Sequence, residues 1–136
     1  MEDIGVLIIR VIVGLYFAAH GAQKTFGWFG GNGLNGTGAF FEHVGIKPGK
    51  MMAFIAGIGE IVGGLLFLLG FLTPLAALLM IVPMIVAIIK VHGKNGWFAD
   101  KGGIEYNLVI IAVALGLTLS GVGSLSIDEL YNIHFW

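Results

Sequence analysis

The sequence contains no cysteine and few charged residues. None of its 136 residues is Cys, and only 11% are Asp, Glu, Lys or Arg. The absence of Cys excludes disulfide bonds, thiolate metal ligands and thiol redox relays within the chain. Any redox chemistry therefore needs a bound molecule or a partner protein. The formal net charge of −1 provides no basic surface for nucleic acid, so we expect no nucleic-acid partner.

Apolar residues take the place of the missing charges. They make up 57% of the chain, and the mean hydropathy is +0.96. Such a composition is typical of an integral membrane protein rather than of a soluble domain. A span needs about 20 residues, so a chain of this length has room for about four spans with short connections. We therefore predict an all-α fold, a single transmembrane domain over residues 1–136 built as a four-helix bundle.

Hydrophobic stretches separated by glycine-rich or polar segments define the spans. The predicted spans cover about residues 4–24, 50–72, 75–91 and 104–120. The first connection is rich in glycine and aromatic residues, and a short interfacial helix is expected at 37–44. Ser126 with Glu129 three residues later has the pattern of a capping box, which predicts a terminal helix at about 126–135. Phe135 and Trp136 are expected at the membrane interface.

Basic residues are concentrated at one end of the predicted bundle. Six of the seven flank the first and third connections, namely Lys24, Lys47, Lys50, Lys90, Lys94 and Lys101. The positive-inside rule therefore places both connections in the cytoplasm and both termini outside. We expect a multi-pass protein of a cell membrane, in contact with lipid, and an alkaline phosphatase fusion at the C-terminus tests this orientation.

The first predicted span carries a polar stripe. Arg10, His20 and Lys24 share one helical face with Phe17, because positions three, four and seven apart lie together. An ionisable group near the centre of a membrane helix costs on the order of 3 kcal/mol, so the stripe faces protein or trapped water and marks a functional site by default. Estimated depths bring Arg10 within reach of Glu60 in the second span, and we expect these two to form an ion pair.

Other polar residues fall near the predicted cytoplasmic end and can surround the mouth of a cavity above the Arg10–Glu60 pair. These residues are His20, Gln23, Lys24, Glu105, Tyr106 and Asn107. Purely structural roles stay open, because a buried ion pair can fix helix register and helix-end lysines such as Lys24 ordinarily reach out to headgroups. His43, His92 and His134 are expected to be ordinary surface residues. No pair of histidines has metal-ligand spacing, so no metal site is predicted.

Several short motifs occur together along the chain. In order they are Arg10, His20-Gly21-x-Gln23-Lys24, Gly27-Trp28-Phe29-Gly30-Gly31, Gly57-x-Gly59-Glu60-x-x-Gly63-Gly64 and Gly103-x-Glu105. As a set they resemble the DoxX family of small bacterial and archaeal membrane proteins over essentially the whole chain. The resemblance implies a four-helix protein of a bacterial or archaeal cell membrane. It also implies a redox connection, because some relatives are subunits of a thiosulfate:quinone oxidoreductase and others are associated with quinone or catechol stress.

The leading hypothesis is a membrane oxidoreductase component that holds a quinone-like or small aromatic molecule within the bundle. The polar groups would hydrogen-bond its oxygens and carry protons, and the electrons would come from the substrate or from a partner redox subunit. No covalently bound cofactor is expected. The candidate substrate-binding residues are Arg10, Phe17, Gln23, Lys24, Trp28 and Asn107, and the candidate catalytic residues are His20, Glu60 and Glu105.

Two other functional classes stay open. A transporter or channel for a small solute or ion would use the polar stripe to line a path open to both faces of the membrane. A noncatalytic anchor for a soluble redox enzyme would use the first connection as its docking surface. A homodimer through Gly57, Gly63 and Gly64 is a further possibility, since glycine-rich faces serve helix packing both within and between chains.

Overall fold

The computed structural model describes residues 1–135, and every regular element within that range is helical. The α-helices are α1 (Glu2–Phe26), α2 (Gly33–His43), α3 (Gly49–Leu69), α4 (Thr73–Ala87), α5 (Glu105–Ser120) and α6 (Ile127–Leu130). A π-helical turn at Ile88–His92 continues α4, and short 3₁₀ turns lie at Trp28–Gly30, Gly93–Asn95 and Ala99–Lys101. The prediction of an all-α membrane bundle is confirmed.

Three helical segments are long and apolar enough to cross a membrane. They are Glu2–Phe26, Gly49–Leu69 and Thr73–Asn95, the last being α4 with its continuation. Helix α5 has 16 apolar-rich residues, a length of about 24 Å. That α5 also crosses the membrane, and that both termini lie outside, stay predictions. We call the end of the bundle that holds residues 27–48 the loop end, and the end that holds the N-terminus and residues 121–135 the terminal end.

Helix boundaries differ from the predicted ones in the two short helices, and α3 ends at Leu69 rather than at 72. Helix α2 is longer than the expected interfacial helix, since it begins at Gly33. Helix α6 covers only Ile127–Leu130, so the prediction of a helix over 126–135 is wrong in length. The predicted cap is present, because Ser126 Oγ accepts a hydrogen bond from the Glu129 N–H at 3.3 Å. The chain then turns at Asn132, whose φ of 55° is left-handed and incompatible with a continued helix. Trp136 lies outside the described residues.

Helices α1 and α3 pack closely because glycines lie where they cross. A Cβ on Gly14 would lie 2.6 Å from the carbonyl oxygen of Gly64, and a Cβ on Gly21 would lie 2.5 Å from that of Gly57. Only a hydrogen atom fits at these positions, so the two backbones approach closely. The glycines considered for a homodimer are thus engaged within the chain, since a Cβ on Gly63 would also lie 2.8 Å from Leu79 Cβ of α4.

The glycine contacts set the register between α1 and α3. With Gly14 beside Gly64, Arg10 lies level with Leu68 near the end of α3. Glu60 is eight residues from Leu68, about 12 Å along the helix axis. The distance between Arg10 and Glu60 along the helix axis is therefore about one turn greater than the distance estimated from their positions relative to the helix ends. The predicted ion pair between Arg10 and Glu60 is therefore wrong, and each residue has different partners.

Arg10 binds backbone carbonyls at the terminal end. Its guanidinium, only 1% exposed, donates to the carbonyl oxygens of Phe67 at 3.2 Å and Leu68 at 2.8 Å, where α3 ends. It also donates to those of Val122 at 2.8 Å and Leu125 at 2.9 Å in the C-terminal segment. Carbonyls at a helix end lack intrahelical donors, so Arg10 caps α3 and fastens the C-terminal segment to it.

Asp128 caps the N-terminus of α4. Its carboxylate accepts hydrogen bonds from the N–H groups of Leu72 at 2.8 Å and Thr73 at 3.0 Å, and from the Thr73 hydroxyl at 2.6 Å. A negative group at a helix N-terminus is stabilising there because the first N–H groups have no helical acceptors. The C-terminal segment is therefore tied to both α3 and α4, and it covers the terminal end of the bundle.

Replacing Gly64 by Ala should destabilise the bundle by about 1–3 kcal/mol, because the new methyl group would be forced against the α1 backbone. The matched control is Gly116→Ala on α5, where nothing lies within 4 Å of the new Cβ. That control should be neutral or stabilising by up to about 1 kcal/mol through helix propensity. Thermal unfolding in detergent, followed by circular dichroism, measures both. Equal stabilisation by the two substitutions would contradict the close α1–α3 contact.

Candidate functional site

A cavity of about 740 Å³ lies toward the loop end, between α1, α2, α3 and α4. This volume falls in the range of small-molecule sites, roughly 300–1,000 Å³. Most of the lining is apolar, including Phe40 and Phe41 of α2 and Leu79 and Val82 of α4. The polar and charged side chains of the lining are His20, Gln23, Lys24, Asn32, Thr37, Glu60 and His92.

Helix α2 forms one wall of this cavity because two contacts hold it against the start of α3. The carboxylate of Glu42 accepts a hydrogen bond from the Gly49 N–H at 2.6 Å. A Cβ on Gly38 would lie 2.8 Å from the Cα of Lys50, so the two backbones touch there. Gln23 of α1 secures the connection before α2, since its side-chain amide donates to the Phe29 carbonyl at 3.3 Å.

Glu60 and Lys24 form an ion pair beside the cavity. Glu60 is completely buried, and its Oε1 lies 2.5 Å from the Nζ of Lys24, whose side chain is 28% exposed. The side chain of Lys24 therefore points inward from the last turn of α1. The interpretation of Lys24 as a helix-end lysine that reaches out to lipid headgroups is wrong. The α1–α3 register makes this pair possible, because along the helix axis Lys24 lies closer to Glu60 than Arg10 does.

The second oxygen of the same carboxylate has no partner. Glu60 Oε2 is buried and makes no hydrogen bond within residues 1–135. A carboxylate has room for about four hydrogen bonds, and leaving a buried acceptor unsatisfied costs on the order of 1–3 kcal/mol. Glu60 lines the cavity, so a ligand or water there is the available source of the missing donor.

His20 and Tyr106 lie next to each other near this carboxylate. Their ring centroids are 5.0 Å apart and the rings are tilted by 45°. His20 lines the cavity, whereas the hydroxyl of Tyr106 is buried without a hydrogen-bond partner in the described part of the chain. The imidazole of His20 thus lies between the cavity and the unsatisfied hydroxyl of Tyr106.

Helix α4 contributes a further hydrogen-bond acceptor. Pro83 has no N–H, so it cannot donate to the carbonyl of Leu79 one turn earlier, and both residues line the cavity. The π-helical turn that follows α4 brings His92 into the same lining. The Nδ1 of His92 is 2.6 Å from the Gly102 carbonyl oxygen, which fixes its ring. The expectation that His92 is an ordinary surface residue is wrong.

Five of the predicted site residues lie away from the cavity lining. Arg10 is at the terminal end, Phe17 is fully buried in the hydrophobic core, and Trp28 is exposed. Glu105 is also exposed, and it accepts a hydrogen bond from the Ala99 N–H at 3.0 Å. The buried Asn107 amide donates to the Met84 carbonyl at 3.5 Å. The predicted residues that the structure does bring together are His20, Gln23, Lys24 and Glu60.

Sequence reasoning missed the aromatic wall and His92. Phe40, Phe41 and Thr37 were assigned to an interfacial helix, but no periodicity in the sequence indicates that this helix folds back over α3. Pro83 was a usable signal, because a proline inside a span frees a carbonyl and alters the helix after it. In the part of the chain that the structure describes, no group of three His, Asp or Glu side chains is placed to hold a metal ion.

Comparison with known proteins gives matches over most of the chain. Residues 5–93 match the sequence model of the DoxX family. The chain is 31% identical to "Putative oxidoreductase CatD" of Bacillus subtilis, over 93% of this chain and 86% of that protein. It is 32% identical to "Inner membrane protein YqjF" of Escherichia coli, over 97% and 95%, and 32% identical to "Uncharacterized membrane protein Rv3486" of Mycobacterium tuberculosis, over 91% and 79%. No solved structure gives a significant match.

Replacing Lys24 by Met should lower the free energy of unfolding by about 3 kcal/mol, because it leaves the Glu60 carboxylate buried without its cation. Adding Glu60→Gln to Lys24→Met should recover most of that loss, since a neutral amide needs no counter-charge. Denaturation of the single and double variants measures both effects, with the exposed Lys50→Met as matched control. Equal destabilisation by Lys24→Met alone and by the double variant would contradict the buried pair.

Proposed function

This chain belongs to the DoxX family of membrane proteins, and we propose that it is a membrane oxidoreductase component that binds a quinone-like or small aromatic molecule beside Glu60. The observation that carries the proposal is the Oε2 atom of Glu60, a buried carboxylate oxygen without a partner in residues 1–135, on a residue that borders a cavity of ligand size. A hydroxyl group of a quinol, catechol or phenol is a donor of the kind this oxygen lacks.

The polar groups around Glu60 suit both redox forms of such a molecule. Lys24 and His20 offer N–H donors for the carbonyl oxygens of a quinone, whereas Glu60 is an acceptor for a hydroxyl of a quinol. Phe40 and Phe41 supply aromatic surface in the same cavity. Offset or edge contacts between aromatic rings contribute about 0.5–1.5 kcal/mol each, so this surface favours a ring-shaped ligand.

Proton movement is the chemical task that these side chains can perform. Reduction of a quinone to a quinol takes up two electrons and two protons. The Glu60 carboxylate and the His20 imidazole are groups that accept and donate protons, and both line the cavity toward the loop end. The proposal includes a partner redox subunit or the substrate itself as the electron source, because the chain contains no cysteine that relays electrons. It includes no covalently bound cofactor.

The relatives support the proposal to different degrees. CatD carries the name of an oxidoreductase, and it covers nearly the whole chain at 31% identity. The names of YqjF and Rv3486 give only a membrane location. The redox assignment therefore depends mainly on the chemistry of the cavity.

The contacts at the terminal end of the bundle disfavour the alternative of a transporter or channel. A transport path must open to both faces of the membrane. Arg10 and Asp128 tie the C-terminal segment across α3 and α4 with charge-assisted hydrogen bonds, which favours a cavity closed at that end. The alternative of a noncatalytic anchor provides no use for an unsatisfied carboxylate oxygen inside the bundle.

Native mass spectrometry with extraction of bound small molecules tests the proposal on gently solubilised protein. Wild-type protein should retain a quinol or another hydroxylated aromatic molecule, and Glu60→Gln should reduce its retention about tenfold or more, because the ligand hydroxyl loses its charged acceptor. Glu2→Gln makes the same chemical change at an exposed position of the terminal end and should retain the molecule like wild type.

Two results would contradict the proposed function. One is folded wild-type protein that stays empty even after addition of a benzoquinone and of a catechol. The other is equal retention by wild type and Glu60→Gln, with circular dichroism confirming that the variant is folded. Either result would return the Lys24–Glu60 pair to a structural role.

A further inference from the structure

Part of the cavity lining is also part of the outer surface of the bundle. Ile55 of α3 and Leu78 and Val82 of α4 line the cavity, and they are 53%, 58% and 48% exposed. Residues that line a cavity and are also largely exposed mark the place where the cavity opens. Val86 of α4 and Phe40 of α2 also line the cavity and are 39% and 44% exposed, so the cavity opens sideways between α3 and α4 and the opening reaches α2.

This opening lies at the middle of two membrane-spanning segments. Ile55 and Gly59 are six and ten residues from Gly49, where α3 begins, so they lie about 9 and 15 Å along the helix. Val82 lies near the middle of the 23-residue segment Thr73–Asn95. A bilayer core is about 30 Å thick, so an opening at this depth faces lipid chains rather than water.

Glycine at position 59 explains why the two helices separate there. One turn further along α3, a Cβ on Gly63 would lie 2.8 Å from Leu79 Cβ, so α3 and α4 touch at that level. A Cβ on Gly59 would meet nothing closer than Leu79 Cδ2 at 4.0 Å. The helices thus diverge from Gly63 toward the loop end, and the absence of a side chain at Gly59 leaves the gap open.

Polarity changes along the cavity from its interior to this opening. The polar residues Glu60, Lys24 and His20 line its inner part, whereas the aliphatic side chains of Ile55 and Val82 line its opening. A molecule that satisfies both regions has a polar head and an apolar body. It also needs no passage through water, because the opening lies in hydrocarbon.

From this geometry we propose that the ligand is a lipid-dissolved molecule with an apolar tail, which enters sideways between α3 and α4 and leaves its tail in that gap. The inference rests on the proposed function and adds the class of ligand and its route. A small water-soluble aromatic molecule that enters from the loop end is the alternative that the experiment distinguishes.

Binding measurements in lipid nanodiscs test the route with two probes that share one head group. The probes are a benzoquinol with a ten-carbon alkyl tail and the same benzoquinol without a tail, both kept reduced, and their concentrations are expressed per mole of lipid. The tail of the first probe is already in hydrocarbon, so wild-type protein should bind both with comparable affinity. Gly59→Leu should weaken binding of the tailed probe about tenfold or more, because the added side chain fills the gap.

Matched variants make the result specific. The tailless probe should lose less than about threefold with Gly59→Leu, since its head group does not occupy the gap. Gly116→Leu makes the same substitution on α5, where nothing lies within 4 Å of the new Cβ, and should bind both probes like wild type. Val82→Phe narrows the same opening from α4 and replaces Gly59→Leu if that variant does not fold.

Three results would overturn the sideways route while leaving the proposed function intact. Wild-type protein could bind the tailless probe and reject the tailed one. The blocking variants could weaken both probes equally, or they could weaken neither. Failure of wild-type protein to bind either probe would instead contradict the proposed function, and with it this inference.

Discussion

A buried carboxylate that is only half satisfied is the constraint on which this account depends. Glu60 is fully enclosed, and Lys24 supplies a positive partner for one of its oxygens while the other has none within residues 1–135. Close packing of α1 on α3 makes this arrangement possible, because glycines at 14, 21, 57 and 64 bring the two backbones together and set their register. The same packing buries the Glu60 carboxylate, so its unsatisfied oxygen becomes a strong acceptor for a ligand.

The polar stripe of α1 divides into a structural part and a site-forming part. Arg10 is satisfied entirely by carbonyl oxygens, and it fastens the C-terminal segment over the terminal end. His20, Gln23 and Lys24, three turns further on, line the cavity. Helix α1 thus helps to close the terminal end of the bundle and supplies polar side chains to the cavity toward the loop end. An intramembrane charge marks function by default, yet Arg10 makes four hydrogen bonds to carbonyl oxygens by capping a helix and binding the C-terminal segment.

The all-helical fold class and the three long apolar helical segments could be predicted from the sequence because hydropathy and helix length are local properties. The capping interaction of Ser126 was readable for the same reason. The partners of Arg10 and Glu60 could not be predicted, since helix register depends on contacts between Gly14 and Gly64 that no single stretch encodes. Phe17 shared a face with the site residues but packs into the core, because a helical face is wide enough to contact both. Phe40 and His92 entered the site through tertiary folding of α2 and a π-helical turn.

Infrared difference spectroscopy tests most directly whether the free oxygen of Glu60 receives the ligand. Spectra of the reconstituted protein would be recorded before and after addition of a tailed benzoquinol, for wild type and Glu60→Gln. The account predicts a shift of a carboxyl or carboxylate band in the wild type that is absent in the variant, because the quinol hydroxyl donates to that oxygen. Bound quinol with unchanged carboxyl bands in the wild type would contradict it.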